Sequence, residues 1–198
     1  MVGTAGSASS CQPARRASRW RYHADMTTST LDRLSAATIN ACLKPTIGYA
    51  EALLKDIPAD KFAFSPHPTM NHPAFVIGHL SIYPNRLLSI MGKSDLAVER
   101  PGYDELFKAG TACVADPKKY PGKDELTAYY LDRYKTLASV LESVSDETLA
   151  QPNPMEGRLR EMFPTIGAAT NFMANNHNMM HLGQISSWRR AMGLPSVM

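Results

Sequence analysis

Apolar residues recur at steps of three and four, or about twice that, in four separate stretches of the chain, the period of a helix that buries one face. The first covers residues 30–57 and is carried by Leu31, Leu34, Ile39, Leu43, Ile47, Leu54 and Ile57. Ser29 or Thr30 can cap its start, Pro45 should kink it because proline lacks the N–H for the helical ladder, and Pro58 ends it. Asn71-His72-Pro73, a polar cap followed by a first-turn proline, opens a second helix over residues 74–92, with a bend expected at Pro84. The third, residues 126–144, places Leu126, Tyr130, Tyr134, Leu137, Leu141 and Val144 near heptad spacing and leaves Asp132, Arg133 and Lys135 largely off that stripe. The fourth, residues 165–192, starts after Pro164 and stops at Gly193 and Pro195. It aligns Thr170, Met173, Ala174, His177, His181, Gln184 and Trp188 on one face.

The connections differ in character. Pro58, Pro66 and Pro68 make residues 58–70 an extended loop in which His67 is a solvated histidine. Residues 93–123 are rich in glycine, proline and charge, with one short helical candidate at 103–109; a connection this long suits a crossover or a functional loop. Asp104-Glu105 and Asp124-Glu125 read as first-turn acids favoured by the helix dipole. Residues 145–149 read as a turn with a brief helical start, and 150–164 as a solvated loop, although Arg158 and Arg160 could face an anion.

Charge changes the picture less than the formal +3 suggests, because Arg15, Arg16, Arg19 and Arg21 against Asp25 account for all of it. The remaining body is neutral, and no basic stretch there offers a surface for nucleic acid. No apolar run is long enough to span a membrane. Cys11, Cys42 and Cys113 are odd in number and far apart, which argues against a disulfide framework and fits a reducing cytoplasm. Cys42 falls in the first helical stripe, where a buried, inert thiol is expected. Residues 1–26 show no period. Their lack of acids before Asp25 resembles a transit peptide, but Met26 stands just before the first periodic segment, so an upstream extension ahead of a single domain at 27–198 is the simpler expectation.

The candidate chemistry is histidine. His177 and His181 stand four apart and therefore share a helix face. Alone, that spacing suits two ligands of one ion and two satisfied core histidines equally. His79 adds a third imidazole, placed on the buried stripe of the second helix by Phe75, Val76, Ile82 and Tyr83. Gly78 and Gly183 lie beside these histidines, and a mid-helix glycine, which costs roughly 1 kcal/mol against alanine, tends to be kept where another backbone or a ligand comes close, so the second and fourth helices are expected to approach each other closely. His72 lies about 10 Å along the axis from His79 at 1.5 Å per residue and reads as a helix-end residue. Met173, Met179 and Met180 read as flexible core filler. Three imidazoles with an open position make a metal site built for chemistry. A zincin would need glutamate where Asn178 stands, and a ferritin-like di-iron site would need glutamates at Asn178, Ala174 or Val76.

Gly78-His79-Leu80, the long crossover, and His177 followed by His181-Leu182-Gly183-Gln184-Ile185 resemble the DinB/YfiT-like metalloenzyme superfamily from residue 26 to the C-terminus. The resemblance implies an all-α four-helix bundle of helix order 1-2-4-3 with a crossover between helices 2 and 3. It also implies one divalent ion on three histidines, zinc or nickel foremost, iron or manganese as alternatives, and a homodimer. Members with assigned activity include S-transferases that use low-molecular-weight thiols and a thiol-dependent maleylpyruvate isomerase. The expected function is nucleophilic transfer or hydrolysis on a small molecule, in which the dication lowers the pKa of a thiol or water. No carboxylate lies close in sequence to the three histidines, so Tyr83, Asn178 and Gln184 are expected to serve only as neutral orienting groups. A metal-binding or interaction bundle without catalysis is the alternative.

Overall fold

The computed structural model describes residues 32–197, and among them regular structure is helical apart from one isolated antiparallel bridge between Pro152 and Thr165. Residues 1–26 and the cap candidates Ser29 and Thr30 lie outside the described residues. The first helix, α1 (Leu34–Lys55), runs on through Pro45 as one element. Its first turn has no local side-chain cap; the Asp146 carboxylate, from a segment 110 or so residues on, accepts from the Ser35 and Ala36 amides at 3.0 and 3.2 Å. Ile39, Leu43, Ile47, Leu54 and Ile57 are buried as their period requires. Cys42 is not: it is exposed, because it sits about a quarter-turn from the centre of that stripe, and Leu34 at the start of the helix is exposed as well.

The expected second helix is two. Pro84 removes one rung of the ladder, and the chain forms α2 (Pro73–Ser81) and α3 (Tyr83–Ile90) around Ile82. All nine residues of α2 are buried, the pattern of a helix surrounded by protein on every side. The crossover carries α4 (Tyr103–Phe107), and α5 (Lys123–Leu141) follows. Arg133 belongs to the interior, 4% exposed, where it donates to the Leu96 carbonyl at 2.7 Å and so ties the crossover to α5. Short helices α6 (Asp146–Ala150) and α7 (Arg158–Met162) lead to the last long element; Arg158 and Arg160 are both exposed, in keeping with a solvated segment.

That last element is α8 (Ile166–Asn171), a π-helical segment (Phe172–His177) and α9 (Asn178–Ala191) in direct succession. Trp188 and Arg189 fix its far end. The indole donates to the Phe64 carbonyl at 2.7 Å, and the buried guanidinium donates to the Leu53 carbonyl at 2.7 Å while pairing with Asp56. Met173 is buried, but Met179 and Met180 are 41% and 57% exposed, so neither fills the core. α1 packs against α5 and α9, and α2 likewise packs against α5 and α9; α1 with α2, and α5 with α9, make no comparable contact. Among the described residues no helix is long and apolar enough to cross a membrane.

Candidate metal centre

His79 from α2, His177 at the end of the π-helical segment and His181 in α9 come together, each offering one nitrogen, with all three nitrogens within 4.8 Å of one another. Ring centroids lie 4.6 to 5.2 Å apart, every pair edge-on. His79 and His177 are buried and His181 is half-buried, so the cluster reaches the surface through α9. The π-helical segment spreads the turn that delivers His177; such widened turns recur at functional sites.

Hydrogen bonds select the free nitrogens. His79 Nδ1 donates to the Phe107 carbonyl at 2.6 Å, which commits its proton and leaves Nε2 as a lone pair. His181 Nδ1 faces Gln184 Oε1 at 3.2 Å, and Asn71 donates to the same oxygen at 3.3 Å, an arrangement in which that oxygen accepts twice. His181 Nε2 is thereby left bare too. His177 Nδ1 is buried without a partner, while its Nε2 stands 3.3 Å from His79 Nε2. With metal–nitrogen bonds near 2.0–2.1 Å, neighbouring ligands of a tetrahedral ion stand about 3.3 Å apart, so this pair already has ligand spacing.

Electrostatics agree with neutral rings. Burial, and then the His181 and His79 imidazoles beside it, push His177 down to about 3. Burial also lowers His79, against the pull of the Phe107 carbonyl, and lowers His181, against Gln184. Each ring is therefore neutral with one N–H, and His79 and His181 carry theirs on the outward Nδ1, so that their Nε2 lone pairs turn inward beside His177, a donor set that suits a borderline dication. The residues present therefore fit such an ion, and no Asp or Glu joins the cluster among the described residues.

The other expected site residues divide. Tyr83 is in the cluster, its hydroxyl 3.4 Å from His79 Nε2 and its ring 4.6 Å from that of His177. Gln184 orients His181, as described. Asn178 faces the core instead, accepting from the Tyr130 hydroxyl at 2.9 Å. His72 is the N-cap of α2, accepting from the Phe75 amide at 3.1 Å, and His67 is exposed and bonded to Thr69. Gly78 admits a close neighbour, but that neighbour is the Phe107 ring rather than α9: a Cβ there would stand 2.2 Å from it. Gly183 faces open space, with nothing within 4 Å of a built Cβ, so close helix packing does not account for it.

Phe107 was not legible in advance as part of the centre. Its carbonyl fixes His79, its ring fills the Gly78 notch, and three residues earlier Asp104 pairs with Arg86, whose guanidinium lies 5.3 Å from the Tyr83 ring. The crossover is thus the outer support of the site, on the side of α2 and α3. The one available signal was Gly78, which announced an approach without naming what approaches.

No curated protein matches the chain. The family model of the DinB superfamily matches residues 43–185, a span that holds all three histidines, the glycine notch and the crossover. The chain belongs to the DinB superfamily.

Proposed function

We propose that the protein is a metal-dependent enzyme that acts on a small molecule, with one divalent ion held by His79, His177 and His181. The observation that carries this reading is the convergence of three neutral ring nitrogens within 4.8 Å. Zinc or nickel suits three imidazoles best, with iron or manganese as alternatives. When bound, the dication supplies Lewis acidity, lowering the pKa of a thiol or water so that a nucleophile forms near neutral pH. The chain does the rest: Phe107 and Gln184 hold two rings in their metal-ready tautomers, and burial keeps all three deprotonated.

The half-burial of His181, the one proposed ligand that reaches the surface, supports an enzyme over a closed binding site. Behind that ring, on its Nδ1 side, Gln184 lines a cleft of about 450 Å³ with Met70, Asn71, Met180, Gly183 and Ser187, and none of the three proposed ligands lines it. The proposed substrate is a small electrophile, with a low-molecular-weight thiol as the proposed co-substrate. The reaction class is nucleophilic transfer, with hydrolysis where water takes the place of the thiol. The burial of His79 and His177 favours, as a second reading, a bundle that binds metal without turnover.

The proposed architecture is a four-helix bundle that works as a homodimer. Of the neighbours in the order 1-2-4-3, the approaches of α1 to α5 and of α2 to α9 support two. The additional approaches of α1 to α9 and of α2 to α5 support the cyclic order 1-3-2-4 instead.

Thiol consumption with a panel of aryl halide, epoxide and maleyl electrophiles tests the activity. Turnover that disappears with chelator and returns with one metal supports the enzyme; metal bound at full occupancy with no turnover across the panel supports the second reading.

A further inference from the structure

The tyrosine beside the histidines has a hydrogen-bonding problem that metal binding creates. Tyr83 opens α3 and is buried, and among the described residues its hydroxyl has one partner, His79 Nε2 at 3.4 Å. That nitrogen is the ligand atom, and one lone pair cannot serve an ion and a phenol together. The ring has little freedom to turn away. It packs edge-on against His79 at 5.0 Å and His177 at 4.6 Å, and Arg86, paired with Asp104, covers it from the crossover side. Tyr134, a second buried phenol in the electrostatic neighbourhood of Tyr83, has no hydrogen-bond partner among the described residues. An ion on the three imidazoles therefore leaves a fixed, buried O–H donor at its edge in need of an acceptor.

We infer that Tyr83 donates its hydrogen bond to the atom that occupies the open position of the metal, and so selects an anionic acceptor atom there. This rests on the three-histidine metal reading and deepens it. Tyr83 is a positioning residue: it orients the bound nucleophile atom and is not itself a ligand. Arg86 and Asp104 act through it by holding the ring in place.

The test uses the full chain depleted with chelator and reloaded with Co(II), comparing the parent with Tyr83→Phe and with Arg86→Leu. Co(II) affinity is measured by competition with a chromophoric chelator, and azide affinity by the change in the visible absorption of the ion. Tyr83→Phe should leave Co(II) affinity within about threefold and weaken azide by roughly tenfold or more, the loss of one hydrogen bond to a charged acceptor. Arg86→Leu changes a surface side chain and keeps the hydroxyl, so it reports even if the phenylalanine variant folds poorly; it should weaken azide in the same direction. Unaltered azide affinity in both variants overturns the assignment and leaves Tyr83 as packing. A fall in Co(II) affinity of more than tenfold in Tyr83→Phe overturns it in another way, by making the phenol a ligand. A parent that binds no Co(II) refutes the metal reading itself, an outcome distinct from both.

Discussion

His79 donates its Nδ1 proton to the main-chain carbonyl of Phe107 at 2.6 Å, across 28 residues of sequence, and this bond connects the crossover to the candidate metal centre. It fixes the tautomer of the ring and aims Nε2 at His177. The same phenylalanine seats its ring in the notch left by Gly78.

Gly78→Ala should therefore hurt both fold and site. Alanine gains about 1 kcal/mol of helix propensity, but its Cβ would meet the buried Phe107 ring at 2.2 Å, and overpacking of that kind costs about 1–3 kcal/mol. Urea denaturation should show net destabilisation, and displacement of the Phe107 carbonyl should weaken metal binding with it. Gly183→Ala is the contrast: with open space around it, it should stabilise by up to about 1 kcal/mol and leave metal affinity unchanged. Equal effects of the two substitutions would refute the assigned role of the notch.

Those two glycines mark how far the sequence could be read. Periodicity located the long helices, the four-residue spacing put His177 and His181 on one face, and the apolar stripe around His79 turned it inward, because each of these depends on local geometry. What approaches Gly78 depends on where a long crossover returns, and no local pattern encodes that. Cys42, Met179 and Met180 were misplaced for a related reason: apolar character marks a residue as able to be buried, while its angle on the helix decides whether it is. The π-helical segment before His177 changes that angle without a sequence signal. Arg133 and Arg189 were hidden because their burial rests on distant carbonyls, those of Leu96 and Leu53.

Gln184→Leu should weaken metal binding without unfolding the protein. The side chain accepts from His181 Nδ1 at 3.2 Å, and loss of a partner that orients a ligand typically costs about 10–100-fold in affinity. Competition with a chelator measures this, and thermal melting of the metal-free protein should show little change. An unchanged affinity would remove Gln184 from the site.

Stability should fall as pH drops below the ordinary histidine range, in part through His72. This ring is wholly buried, Nδ1 accepting from the Phe75 amide and Nε2 donating to the Val114 carbonyl at 3.0 Å, so it must be neutral. Burial lowers it below the ordinary value of 6.5 despite the Val114 bond. Between those two values the unfolded chain takes up a proton that the folded chain refuses. The contribution is complete above about 6.5 and is lost progressively below it, with a limiting slope of about 1.4 kcal/mol per pH unit. His72→Asn, which keeps a capping oxygen, should flatten the denaturation profile between pH 7 and 5 in proteins measured without metal. An identical slope in the variant would contradict this, since the other buried histidines remain in both.

The central claim is that three imidazoles hold one ion. Elemental analysis of untagged protein purified without chelators, together with His79→Ala, His177→Ala and His181→Ala, tests it most directly. The account predicts about one equivalent of a divalent metal in the parent and its loss in each variant. A parent free of metal even after reloading, or any variant that retains full occupancy, would contradict it.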